Sequence, residues 1–330
     1  MSSLISVNNL SRRYGDFFAV NNISFELAAG DILAFLGPNG AGKSTTMQML
    51  TGNLAPTLGE ININGVDLLE NPKAAKASLG YLPENPPLYK EMTVTEYLQF
   101  CGRLHQINKQ ELSSACNSAI ERCGLDNVRK RLIRNLSKGY QQRVGIAQAI
   151  LHSPPVIILD EPTVGLDPIQ ILEIRQLIKT LGQTHGIILC THILPEVQLV
   201  CNRVQIINQG ELVYSADMAD MLNRQTSRFE ITLSSKLDDI ELSGNRIFSS
   251  VKFIDDNSFS AKSDLSAEQL TEYIVKQQWG LTRFTTQHTS LEQIFIDLTL
   301  ADTRLEDTNT ASESTANKGT HNEKQESNAA

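Results

Sequence analysis

The chain has 330 residues, 41% of them hydrophobic, which is enough length and apolar side chain for two ordinary domains with buried cores. Its net charge of -8 lacks the basic excess that a sequence-independent grip on nucleic-acid phosphates requires, so no nucleic-acid partner is expected. The longest apolar runs, 154–159 and 186–190, fall far short of the roughly 20 residues that cross a bilayer, and residues 1–9 have neither the basic nor the apolar part of a signal peptide. A chain that stays in the cytosol is expected. Cys101, Cys116, Cys123, Cys190 and Cys201 form no CxxC pair, so reduced, buried thiols are expected rather than a disulfide framework or a zinc site.

In chain order, Ile23, Phe25 and Leu27 alternate with polar residues and predict an antiparallel edge strand. Ile32 to Leu36 reads as a buried strand. It runs into Gly37-Pro38-Asn39-Gly40-Ala41-Gly42-Lys43-Ser44-Thr45, which matches the GxxxxGK[ST] phosphate loop, with a helix from Thr46 onward. Glycines let backbone N–H groups converge on a β-phosphate, and the helix N-terminus adds partial positive charge. Lys43 is expected to reach the β- and γ-phosphates, and the Ser44 hydroxyl to ligate Mg²⁺.

Leu79 to Leu82 is a second strand, ending in Pro83-Glu84. Asn85-Pro86-Pro87-Leu88-Tyr89 follows as a rigid, partly apolar segment, and Thr93 to Glu96 opens a helix that carries Tyr97, Leu98 and Phe100. Arg129, Lys130, Arg131, Arg134, Lys138 and Arg143 place six cations within fifteen residues. No aromatic residue interleaves before Tyr140, so a solvated face is expected. Ser137 is a good N-cap for a helix running to about Leu151. Val156 to Leu159, apolar enough to be buried on both faces, ends in Asp160-Glu161. There Asp160 would hold the Mg²⁺ shell and Glu161 would orient or deprotonate the attacking water of a phosphoryl transfer. With Ile187 to Cys190 as a further strand, the alternation predicts a mostly parallel sheet flanked by helices, with ligands at the carboxyl ends of its strands.

Beyond about residue 220 the pattern changes. Phe229, Ile231 and Leu233 alternate as in a half-buried strand, and a similar run recurs at 251–254. Ser266 with Gln269, and Ser290 with Gln293, form capping-box patterns before apolar helices. A small α+β appendage is expected over 225–300. Residues 301–330 hold six acidic and three basic side chains and no aromatic residue, so a disordered tail is expected.

Leu136-Ser137-Lys138-Gly139-Tyr140-Gln141-Gln142-Arg143 resembles the signature sequence of ABC ATPases. It falls between the phosphate loop and the Asp160-Glu161 strand. Gly165-Leu166-Asp167-Pro168 then follows as a D-loop does, His192 ends a strand as the switch histidine does, and Tyr14 lies where an adenine-stacking aromatic is expected. The resemblance implies an α/β P-loop NTPase of ABC type over 1–222, with a RecA-like mixed-sheet core, an antiparallel β subdomain and a helical subdomain. An accessory domain would occupy 223–300 and the tail 301–330.

By the same resemblance, two copies pair head to tail, and ATP on the Gly37–Thr45 loop of one meets Ser137 and Gly139 of the other, with Asp167 also an implied nucleotide-binding residue. Glu161, His192 and Lys43 are the implied catalytic residues, Tyr14 the adenine platform, and Ser44, Asp160 and Glu84 the implied Mg²⁺ set. Two positions depart from the usual pattern. Lys138 and Tyr140 replace glycine and glutamine in the signature, and Glu84 replaces the Q-loop glutamine. Both look like the branch that energises ABC-2 type exporters. That branch implies a separate membrane permease, a peripheral location on the cytoplasmic face of the inner membrane, and a docking surface after Glu84, formed by Asn85-Pro86-Pro87-Leu88-Tyr89 and a groove lined by Tyr97, Leu98 and Phe100. A soluble ATPase acting on ribosomes or DNA is the alternative. It usually carries two cassettes or a long coiled-coil insertion, and only 94 positions separate Lys43 from Ser137.

Overall fold

The computed structural model describes residues 3–223, 227–234, 247–248, 250–263, 265–287 and 291–299. β1 (Ser3–Tyr14) and β2 (Phe17–Ala28) pair antiparallel around Gly15-Asp16, with Gly15 at φ 59. β3 (Ile32–Leu36) leads into α1 (Lys43–Leu50), and β4 (Leu58–Ile63), β5 (Val66–Asp67) and α2 (Pro72–Ala77) follow. After β6 (Leu79–Leu82) comes a helical segment made of α3 (Val94–Leu104), α4 (Lys109–Arg122) and α5 (Lys138–Ile150). The chain then alternates β7 (Val156–Asp160), α6 (Pro168–Gly182), β8 (Gly186–Thr191), α7 (Leu194–Val200), β9 (Arg203–Asn208), β10 (Glu211–Asp217) and α8 (Met218–Asn223).

The central sheet has the order β10-β9-β3-β8-β7-β6 and is parallel except at the β10–β9 edge. β3, β7 and β8 are buried along their whole length, as strands covered on both faces must be, and this is why they read as unbroken apolar runs. Successive side chains feed opposite cores. Ile157 and Leu159 join Leu36, Leu189 and the α6 residues Ile174, Ile178 and Leu181. Ile158 joins Phe35, Ile188, Met47 and Leu50 beneath the β1–β2 hairpin. The alternation of Ile23, Phe25 and Leu27 is present, but these strands form their own antiparallel sheet, β2-β1-β4-β5, and the antiparallel edge of the central sheet is β10. A strand with one apolar face lies as a cover on a core and does not fit inside a sheet buried on both faces.

The α3 helix starts with both hydrogen bonds of a Thr93/Glu96 capping box. Tyr97 and Leu98 are 4% and 0% exposed, inside the core formed with α4, α5 and Ile133, so they do not line a docking groove. Phe100 is half-buried, and exposed Tyr89 packs edge-on against it at 5.2 Å. Three members of the basic run are held by polar partners: Arg129 by Asn117, Arg134 by Glu91 and Arg143 by Glu173. All five cysteines are buried and free.

A third sheet lies beyond α8. Its strands β11 (Ser227–Leu233), β12 (Ser250–Phe253) and β13 (Ser258–Ser263), then β14 (Leu281–Gln287) after α9 (Ala267–Lys276), pair antiparallel in the order β12-β13-β11-β14. Phe229, Ile231 and Phe259 bury one face against Leu270 and Ile274 of α9, whose Ser266/Gln269 capping box makes both bonds. A last helix, α10, covers 291–299. Ser290 of its expected capping box and the expected tail lie outside the described residues. The α10 stripe of Leu291, Ile294, Phe295 and Leu298 packs on the core that contains α6 and β7, not on the third sheet. Asn208 Nδ2 of β9 donates to the Leu298 carbonyl at 3.4 Å.

Candidate active site

The loop of residues 37–45 leaves the carboxyl end of β3 and enters α1 with Gly42 as N-cap at φ 107, a conformation open to glycine at little cost. Neither Gly37 nor Gly42 has room for a side chain. A Cβ there would strike the carbonyl oxygens of Ile207 and Ala19 respectively, so β9 and the β1–β2 hairpin clamp the loop from two sides. Within it, the Ala41 N–H donates to the Pro38 carbonyl at 3.2 Å, and Thr46 Oγ1 donates to the Gly42 carbonyl at 2.9 Å. Lys43 is 7% exposed. Its Nζ donates to the Gly37 and Pro38 carbonyls at 2.7 and 2.9 Å. Asn39, Gly40 and Ser44 face solvent, and Thr45 is half-buried.

Two strands over, beyond β8, β7 ends in Asp160, which is buried. Burial pushes its carboxyl pKa above the usual range, and the charges of Glu161 and Glu84 add to that, while the Cys190 thiol and Lys43 act against it. Glu161 sits at φ 47, a left-handed conformation costly for a side-chain-bearing residue, and its N–H donates to the Cys190 carbonyl at 2.9 Å. Its Oε1 lies 2.7 Å from His192 Nδ1, and its Oε2 is buried without a hydrogen-bond partner. The His192 side chain is half exposed. Glu84 is exposed at the end of the β6 segment, near enough for its charge to act on Asp160.

The other expected residues stand around this centre in different ways. Ser137 caps α5, accepting from the Tyr140 N–H at 3.4 Å. Gly139 is buried, and the place of a Cβ there is taken by the Gln170 amide of the same chain. The Lys138 ammonium lies beside Gly165, so signature and D-loop touch within the subunit. Asp167 caps α6, accepting from Ile169 N–H and Gln170 N–H at 3.0 and 2.9 Å. Tyr14 is 48% exposed, with the Arg12 guanidinium 4.7 Å from its ring centre.

Two residues escaped the sequence reading. The Cys190 thiol hydrogen-bonds to Asp160 from the adjacent strand, where Asp160 and Cys190 are paired in register. Glu196, in the first turn of α7, is buried and accepts from Thr163 Oγ1 at 2.5 Å and Thr191 Oγ1 at 3.4 Å. An acidic residue opening a helix ordinarily reads as a partner for the helix dipole, and only its contacts reveal more.

Comparison with known proteins gives this geometry its context. Residues 20–164 match the family model described as ABC transporter. The chain is 32% identical to the uncharacterized ABC transporter ATP-binding protein YxlF of Bacillus subtilis, over 90% of this chain and 100% of that one. It is 33% identical to the bacitracin transport ATP-binding protein BcrA of Bacillus licheniformis, over 90% of this chain and 98% of that one. A solved structure described as the ATP-binding subunit of an ABC transporter aligns at 30% identity and TM-score 0.61, covering 67% of this chain and 93% of the other. A phosphate loop at the same sheet end as a carboxylate pair, in a fold shared with such subunits and with relatives matched along nine-tenths of the chain, places it in a single family: the chain belongs to the ATP-binding proteins of ABC transporters and is an ATPase.

Proposed function

We propose that the chain is the ATP-hydrolysing subunit of an ABC-2 type exporter, driving a separate membrane permease from the cytoplasmic face of the inner membrane. The observation that carries the hydrolytic reading is Glu161. One carboxylate oxygen meets His192 at 2.7 Å, and the other is buried with no partner of its own, an acceptor ready for the lytic water. The 37–45 loop cradles the phosphates, with Lys43 exchanging its two carbonyl partners for phosphate oxygens. Tyr14 stacks on adenine. His192 holds Glu161 and donates to the γ-phosphate.

A divalent cation fits the donor set, because burial and mutual repulsion already disfavour the ionised form of Asp160 beside Glu161 and Glu84. Ser44, Asp160 and Glu84 would hold Mg²⁺, which supplies charge neutralisation on the phosphates. Two copies close head to tail over ATP, with Ser137, Gly139 and Asp167 contributing from the signature and D-loop sides. Residues 1–222 form the cassette, and 223–300 an accessory region whose last helix, α10, packs back on the cassette core.

No described helix is long and apolar enough to cross a membrane, and the proposed permease is a second polypeptide. Its seat is a cleft of about 690 Å³ whose walls include Leu79, Tyr81, Pro83, Asn85, Pro87 and Gln148, between α5 and the segment that follows β6. This seat keeps Asn85 and Pro87 of the expected segment and adds Pro83, while Tyr97 and Leu98 of the expected groove do not line it. Bacitracin transport by BcrA belongs to that relative, and export of a compound of that kind is the corresponding proposal here.

The test uses Glu161→Gln protein. Turnover is expected to fall on the order of 10²–10³-fold, as for loss of one preorganised catalytic group, with ATP affinity retained. Purified from detergent-solubilised membranes with ATP present, the variant is expected to bring down a multi-span protein. Near-normal hydrolysis removes Glu161 from the chemistry, and co-purification with ribosomes or DNA overturns the exporter assignment.

A further inference from the structure

Glu161 and His192 meet at 2.7 Å, yet they sit 31 residues apart in sequence on two segments that leave neighbouring strands and turn away at once. Nothing in either side chain fixes the distance between those segments. Two residues beyond Glu161 is Thr163, 2% exposed, and directly before His192 is Thr191, 0% exposed. The Glu196 side chain lies between the two hydroxyls, at 1% exposure. Oε1 accepts from Thr163 at 2.5 Å, and Oε2 accepts from Thr191 at 3.4 Å. The Thr191 oxygen in turn accepts from the Ile193 N–H at 3.1 Å, closing the turn that presents His192. Arg175 of α6 approaches the same Oε1 at 3.7 Å, so three elements converge on one carboxylate.

A buried carboxylate with this set of partners is costly to maintain, and a core needing only apolar packing would not contain it. We propose that Glu196 is a positioning residue, a clamp that fixes the segment carrying Glu161 against the segment carrying His192 and so sets the geometry in which the lytic water is held. Its own partners are Thr163, Thr191 and Arg175. It acts through the two residues whose roles are assigned under the proposed function, and the inference rests on that assignment.

The experiment measures steady-state ATP hydrolysis and ATP-site titration for Glu196→Ala and Glu196→Gln, each in the native and the His192→Ala background. A misplacement of about 1 Å in a catalytic group costs on the order of 10²-fold. Glu196→Ala is therefore expected to lower kcat by about tenfold to a hundredfold, with the KM for ATP and the number of ATP sites unchanged. Glu196→Gln can still accept from Thr163 and can donate to Thr191, so it is expected to recover most of the rate. In the His192→Ala background Glu196→Ala is expected to cost little more, because clamp and histidine act as one unit.

An unchanged kcat for Glu196→Ala overturns the proposal. So does an equal loss in both backgrounds, or a loss matched by fewer ATP sites, since either marks a structural role. If Glu196→Ala fails to fold, Thr163→Val and Thr191→Val take its place. Each is expected to lower kcat with sub-additive effects when combined, and full activity in both sinks the clamp. Wild-type turnover in Glu161→Gln refutes the assignment of the site itself. Loss in Glu161→Gln with full activity in Glu196→Ala refutes the clamp alone.

Discussion

Leu291 of α10 is fully buried in the core that also contains Leu159, Ile174 and Leu189, and not in the core of the third sheet. Truncation to alanine removes three carbons from that core, about 2.4 kcal/mol at roughly 0.8 kcal/mol for each buried methylene. The residual cavity brings the cost to about 3 kcal/mol. For a unit of this size about 2–4 °C is lost per kcal/mol, so Leu291→Ala is expected to lower the cassette Tm by about 6–12 °C. Differential scanning calorimetry, with hydrogen exchange read at α10 and at β9, is the assay. Ile296→Ala, at a position 44% exposed on the same helix, serves as the control and is expected to change Tm by less than about 2 °C. Equal Tm for wild type and Leu291→Ala, with faster exchange confined to α10, would refute the claim that this helix is part of the cassette core.

Tyr14→Ala is expected to raise the KM for ATP by roughly tenfold to a hundredfold, since base–aromatic stacking is worth about 1–3 kcal/mol, and to leave kcat at saturation nearly unchanged. A KM within a factor of two of wild type removes Tyr14 from the adenine site. His152 stacks on His105 with ring centres 4.0 Å apart, and burial first, then the neighbouring His105, pushes its pKa down to about 4. The folded protein then binds fewer protons at this residue than the unfolded chain does, so stability present above the ordinary histidine pKa is lost as pH falls toward that depressed value. A Tm measured from pH 7.5 to pH 4.5 is expected to fall less steeply in His152→Gln than in wild type, and parallel curves contradict this account.

How much was legible in the sequence follows from the range of the interactions involved. The phosphate loop, the β6 and β7 boundaries and the Thr93 and Ser266 caps are local patterns, in which a few neighbouring residues dictate one geometry. Tyr97, Leu98 and Phe100 were legible as a helical apolar stripe, but periodicity does not say what covers a stripe. Here α4 and α5 cover most of it, and of the expected docking surface Asn85 and Pro87 line an open cleft while Tyr97 and Leu98 are buried. The α10 stripe gave the same ambiguity. Its partner proved to be the cassette, through links as distant in sequence as the 90 residues between Asn208 of β9 and Leu298. Glu196 was invisible for a related reason: its partner Thr163 lies 33 residues away, and the link exists only once β7 and β8 are paired.

That pairing has one more consequence. Leu159 stands opposite Leu189 and Asp160 opposite Cys190, and the ladder runs on through the Glu161 N–H to the Cys190 carbonyl. The register of the two strand ends is therefore inherited from backbone hydrogen bonds at the repeat distance of a sheet, about 4.8 Å between strands, and the Glu196 clamp acts on the turns beyond them. Register of this kind does not depend on which aliphatic side chain stands at a given place in β7 or β8, because it is set by main chain. It does not tolerate a single-residue insertion or deletion in either strand, which would slide one end of the ladder by a whole residue and turn the next side chain to the opposite face.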